Sequence, residues 1–145
     1  MTRQFSTIIA ALLLLLSADA SARTTILHLD VADVLNNPEY ASRLQGVSFY
    51  FGNQPHPAPA NTYGEYRTNK KTNAFNKTDL EACQWVMLSA LLTLRSRALD
   101  LGANAVINIR SNFKGELFVS KTQYSCGAGG ILAGVALIGD VVKIN

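Results

Sequence analysis

The sequence holds no G-x-x-x-x-G-K-[ST], no G-x-S-x-G and no H-E-x-x-H. A phosphate-binding loop, a nucleophile elbow and a zinc-protease helix are therefore excluded as motifs. Acidic residues number only ten and are scattered, so no carboxylate dyad can be assembled from neighbours in sequence. The two histidines, His28 and His56, are far apart and lack ligand spacing; they are weak candidate metal ligands, and only together or with a carboxylate. The two cysteines, Cys83 and Cys126, do not form a C-x-x-C redox pair. The chain has no internal repeat and no heptads, and no second long apolar run follows the first. Its net charge is +3, too mild an excess to argue for nucleic acid. These absences point away from an enzyme, and no cofactor is implied.

The first segment reads as a targeting signal. Arg3 makes a positive start, Ile8 to Leu16 is an unbroken apolar run too short to span a bilayer comfortably, and Ala20-Ser21-Ala22 fits small-residue cleavage. Residues 1–22 are expected to be a signal peptide, with the mature chain starting at Arg23. No cysteine lies near that point, so acyl anchoring is not expected, and after cleavage no transmembrane segment is left. Removing Arg3 and Asp19 keeps the net charge at +3. The expected location is the periplasm or outside the cell.

The remaining 23–145 suffices for one modest domain. In an oxidising compartment an even pair of cysteines most simply forms one disulfide, Cys83–Cys126. The alternative is a redox pair or metal ligands.

Thr78 to Ser111 organises the chain. Thr78-Asp79-Leu80-Glu81 is a capping box, with Asp79 and Glu81 where a helix dipole favours negative charge. Leu80, Cys83, Met87, Leu91, Leu94, Ala98 and Leu101 follow at helical spacing, widened by Trp85, Leu88, Leu92 and Leu99, which suggests a helix packed deep against a sheet. Gly102 supplies the left-handed stop. Ala105 to Ser111 then reads as a strand, preceded in the chain by strands at Thr25–Val31 and Gly46–Phe51. After a turn at Asn112–Gly115, Leu117–Cys126 completes a hairpin, Cys126–Gly130 is a flexible turn, and Ile131–Ile138 resumes as a strand that Val141–Lys143 finishes. The small residues of this last strand let a neighbour approach closely, either the helix or another subunit.

Gln54 to Lys77 reads as a long loop, with prolines at 55, 57 and 59 and many Asn and Thr residues. It carries Tyr63, Tyr66, Arg67, Lys70, Lys71 and Lys77. These fit a solvated loop whose aromatic residues pin it to the domain; the partner that suits them, where there is one, is an anionic component of the cell envelope, such as lipid head groups or a cell-wall polymer, rather than nucleic acid.

At Lys71–Lys77, Ala82–Trp85, Gly102–Ser111 and Cys126–Gly129 the chain resembles a family of small exported bacterial proteins commonly labelled "excinuclease ATPase subunit". That label implies a P-loop, zinc-binding cysteines and a cytoplasmic location, none of which this sequence has. The helix ending in Gly102-Ala103-Asn104-Ala105-Val106 also bears a distant likeness to the core of the outer-membrane lipoprotein that senses stress for the Rcs phosphorelay, and to small YbjQ-type domains that form rings. The chain departs from the lipoprotein in lacking a lipidated cysteine and in having one cysteine pair. These likenesses imply a helix packed on a small sheet, and an oligomer in the second case.

The expected fold is α+β: a mostly antiparallel sheet of about five strands with one long helix on a face. The expected function is a non-enzymatic envelope module for interaction or sensing, with an unknown envelope protein or anionic component as partner and a homo-oligomer as one possibility. The alternative is a small-ligand or metal-binding protein using His28, His56 and the Pro/Tyr loop.

Overall fold

The computed structural model describes residues 24–145. The expected signal peptide lies outside the described residues. Strands β1 (Thr25–Asp30) and β2 (Ser48–Phe51) flank two short helices, α1 (Ala32–Leu35) and α2 (Pro38–Arg43). Strand β3 (Pro59–Asn73), the long helix α3 (Asp79–Asp100) and strands β4 (Ala105–Phe113), β5 (Glu116–Phe118), β6 (Gln123–Ala128) and β7 (Leu132–Ile144) follow. The result is an α+β domain built on one seven-stranded sheet with the path β1-β6-β7-β4-β2, to which β3 adds along β7 and β5 along β4. The sheet is mixed rather than the mostly antiparallel one of about five strands expected, because β2 lies parallel to β4. In the sequence Val31 to Leu35 reads as a turn into a short helix that Asn36-Asn37-Pro38 ends; α1 is that helix, but Asn37 also starts α2, its side chain accepting from the Glu39 N–H at 3.0 Å with Pro38 in the first turn.

Strand β7 is the spine. One edge pairs with β3 along its whole length, from Leu132 opposite Asn73 to Ile144 opposite Pro59. Its other edge pairs with β6 at Ala133 and Gly134, then with β4 from Leu137 to Val142. Helix α3 covers one face. The capping box at Thr78 and Glu81 is formed, and Gly102 takes φ +74° just past the helix end. Val86, Met87, Leu91, Leu94 and Ala98 are buried against Ala133, Val135, Leu137 and Val141 of β7, Val106 and Ile109 of β4, and Tyr124 and Cys126 of β6. Cys83 and Cys126 are joined by a disulfide with Cα atoms 5.9 Å apart, tying α3 to β6.

Three readings need correction. The segment 54–77 is not a long loop: most of it is β3, a 15-residue edge strand. Its side chains are polar because one face is solvated, and its regularity comes from backbone pairing to β7, which composition does not register. Pro59 is tolerated as the first residue of the strand. The expected strand Leu117–Cys126 is broken into β5 and β6, since the Ser120 Oγ accepts from the N–H groups of Thr122 and Gln123 and bends the chain. The expected turn Cys126–Gly130 starts only after Ala128.

Two buried hydroxyls, those of Thr68 and Tyr124, have no hydrogen-bond partner among the described residues. The Tyr124 side chain is fully buried. Burial, helped by the nearby Asp33 and Tyr40, pushes its pKa above the ordinary value of about 10. The folded state therefore keeps the proton longer than the unfolded chain does. The stability this contributes is present below the unfolded pKa and is lost as pH rises from about 10 toward the folded pKa, by up to about 1.4 kcal/mol per pH unit. Tyr124→Phe is expected to be neutral or stabilising by about 1 kcal/mol at neutral pH, since it removes an unpaired hydroxyl, and to flatten the alkaline fall. Urea denaturation at neutral pH and above pH 10 checks both; a clear loss of stability at neutral pH would reveal a hidden partner for the hydroxyl.

Candidate functional site: a basic cleft on the uncovered face

The face of the sheet opposite α3 carries the charged groups of β3 apart from Lys70, because strand alternation sorts them. Tyr66, Thr68, Lys70 and Thr72 lie opposite Gly139, Leu137, Val135 and Ala133 and share the helix face. Tyr63 and Tyr66 pack against the core, and the Arg97 guanidinium of α3 sits 5.2 Å above the Tyr66 ring. Arg67, Asn69 and Lys71 lie opposite Ile138, Ala136 and Gly134 and point to the other face. The register of β3 is fixed there by Arg110, which reaches Glu65 at 2.8 Å and Asp140 at 3.9 Å. Arg110 gets its position from a bulge in β4 at Asn108, which adopts φ 51° and donates from its side chain to Asp140 at 3.3 Å.

The second wall of the cleft is the β4–β5 hairpin. Its two loop residues, Lys114 and Gly115, both have positive φ, 52° and 79°, as a tight hairpin turn requires. The Lys114 ammonium is held 5.7 Å from the centre of the Phe113 ring. That ring in turn lies on Gly127 and Gly134: a Cβ on Gly134 would come within 2.8 Å of it, and one on Gly127 would fall closer still. The neighbour for which the small residues of β6 and β7 leave room is thus Phe113.

Between these walls run two clefts of about 240 and 360 Å³. The first is lined by Thr24, Lys71, Phe113, Lys114, Leu132 and Gly134 among others, the second by Arg67, Asn69, Asn112, Lys114, Ala136 and Ile138 among others. Asn69 and Lys114 belong to both, so they form one trough. Its floor is made of small or aliphatic residues, and three cations and two side-chain amides converge on it. Arg67 has a long contact of 3.4 Å to Glu65, with both side chains well exposed, and among the described residues neither Lys71 nor Lys114 has a carboxylate within 4.0 Å. Such a trough has positive potential and donors for an acceptor-rich ligand.

No known protein family, curated protein or solved structure matches the chain.

Of the six residues read as an anion-binding loop, the strand brings only Arg67 and Lys71 to the trough; Tyr63, Tyr66 and Lys70 turn to the helix face, and Lys77 lies between β3 and α3. Lys114 and the amides of Asn69 and Asn112 escape sequence reasoning. Lys114 has a visible signal, since Lys-Gly at a hairpin turn next to an aromatic residue fixes where the cation points, but a turn spread over Asn112–Gly115 leaves that direction open.

The histidines are not brought together. His28 lies in β1 at one end of the sheet path, and His56 sits against Tyr50 of β2 at the other. His28 stacks on Phe118 with ring centres 4.0 Å apart, and its Nδ1 is 3.3 Å from the Ser125 Oγ. The His56 Nδ1 lies 2.8 Å from the carbonyl of Pro57. Among the described residues no three His, Cys, Asp or Glu side chains cluster as a metal site would need. No described helix is long and apolar enough to cross a membrane. Of Gly130–Val142, the stretch considered as an apolar surface for a second copy, Ile131 and Leu132 are exposed, whereas residues 133–142 are buried apart from half-exposed Asp140, with β3 along one edge and β6 then β4 along the other.

Proposed function

We propose that this is an exported, non-enzymatic envelope module that binds an anionic component through the trough between β3, β7 and the β4–β5 hairpin. The observation that supports it is the convergence of Arg67, Lys71 and Lys114 on a floor of small residues, with two of the three cations free of carboxylates among the described residues. A neutralising pairing would have been easy to build, as it was around Arg110 a few residues away. The trough is shallow and open, which suits a repeating or extended anion better than a small enclosed substrate. The disulfide and the targeting segment agree with a protein that works outside the reducing cytoplasm.

The test is titration of the exported protein with poly(glycerol phosphate), a soluble polyanion, followed by amide chemical shifts. Shifts are expected at residues 67–71 and 112–115, weakening with added salt. The pair Lys71→Glu and Lys114→Glu is expected to abolish them while leaving the fold intact, since both side chains are exposed. Unshifted amides at both segments would overturn the reading.

A further inference from the structure

We infer that the partner is the surface of an anionic lipid bilayer, entered by an apolar tip formed by Phe75, Ile131 and Leu132. This rests on the anion-binding reading of the trough, whose first cleft is lined by Leu132.

Two connections meet there. The turn between β6 and β7 projects Ile131 at its apex, closed by the Gly129 N–H donating to the Leu132 carbonyl at 2.9 Å. The segment leaving β3 lies against it, with the Ala74 N–H donating to the Ile131 carbonyl at 2.6 Å and Leu132 opposite Asn73. Phe75, Ile131 and Leu132 are 65, 70 and 52 % exposed. The same strand buries Ala133 to Val135 immediately afterwards, so the exposure is confined to the end that projects.

Cations surround this end: Lys71 and Lys114 line the cleft beside Leu132, and Lys77 follows Phe75 by two residues. Among the described residues none of the three has a carboxylate within 4.0 Å. Of the acids near this end, Glu116 lies opposite Phe113 in the β4–β5 hairpin, with no lysine within 4.0 Å, and Asp79 and Glu81 stand in the first turn of α3, where Glu81 closes the capping box and both offset the helix dipole. An apolar centre rimmed by lysines matches a bilayer, with hydrocarbon beneath anionic head groups, better than it matches a polymer in water.

The probe is a Phe75→Trp chain in a Trp85→Phe background, mixed with vesicles of phosphatidylglycerol and phosphatidylcholine. Emission of the introduced tryptophan is expected to shift to the blue and to be quenched by brominated acyl chains, with little response to phosphatidylcholine alone. Ile131→Ser is expected to weaken partition about tenfold, and Lys71→Gln or Lys77→Gln about fivefold each. All forms share one N-terminus, so any contribution from it cancels. Unshifted emission, or partition unchanged by Ile131→Ser, would overturn the inference. If poly(glycerol phosphate) still shifts the trough amides in that case, the anion-binding reading stands and only the bilayer is wrong; if neither probe binds, both fall.

Discussion

Replacing Cys83 and Cys126 by alanine is expected to lower the stability of the domain by about 4 kcal/mol, and its melting temperature by about 15 °C. The two residues are 43 apart, and the closed loop holds most of α3 and all of β4 and β5. Open, that loop gains the chain entropy from which the figure comes. Both cysteines are fully buried, so the double substitution also removes packing, and the measured loss should not fall below the entropic figure by much. A reductant should lower the wild-type melting temperature by a similar amount and leave the double variant unmoved. A fall smaller than about 5 °C would mean that the sheet and helix hold together without the bond.

Leu91→Ala is expected to cost about 3 kcal/mol, whereas Leu80→Ala, eleven residues earlier on the same helix, should cost less than about 0.5 kcal/mol. Leu91 is fully buried above the sheet, while Leu80 is 48 % exposed in the first turn. Truncating Leu91 leaves a cavity among side chains from β4, β6 and β7 that cannot collapse onto it, because the disulfide and the capping box hold the helix in place. Truncating Leu80 exposes nothing new. Urea denaturation of the two variants measures the contrast. Equal costs would mean that the helix is rotated about its axis relative to the structure described.

Helix α3 is legible in the sequence because its signals are local. The capping box, the apolar spacing and Gly102 all lie within one segment, and the structure forms the cap and the stop as read. The apolar stripe is narrower than read: Leu80, Trp85 and Leu99 are exposed, and Val86 and Ala90 are buried in addition. The cysteine pairing is legible because only two cysteines exist. Strand β3 is not. A strand that adds to an edge obtains its order from the strand beside it, and Asn-Lys-Lys-Thr-Asn looks the same in a loop as on a solvated face. The parallel pairing of β2 with β4 is hidden for a related reason, since nothing in Ser-Phe-Tyr-Phe states the direction of its neighbour. The trough is half visible. Two of its cations stand in the stretch of chain that composition singles out, but which residues share a face depends on strand alternation, and Lys114 arrives from a hairpin far along the chain.

The spine strand β7 is also the last of the described elements to leave a ribosome or a translocation channel. Until it arrives, β3 has no neighbour to pair with, β4 and β6 have no common partner, and α3 has little to lie on. Before then only the pairings of β1 with β6, β2 with β4 and β4 with β5 are available to the strands, and the arrival of β7 joins these pieces into one sheet. Loss of residues 132–144 would take away the one strand that β3 pairs with among the described residues and the partner that β4 and β6 share. The order of this sheet thus waits on the element that comes last among those described.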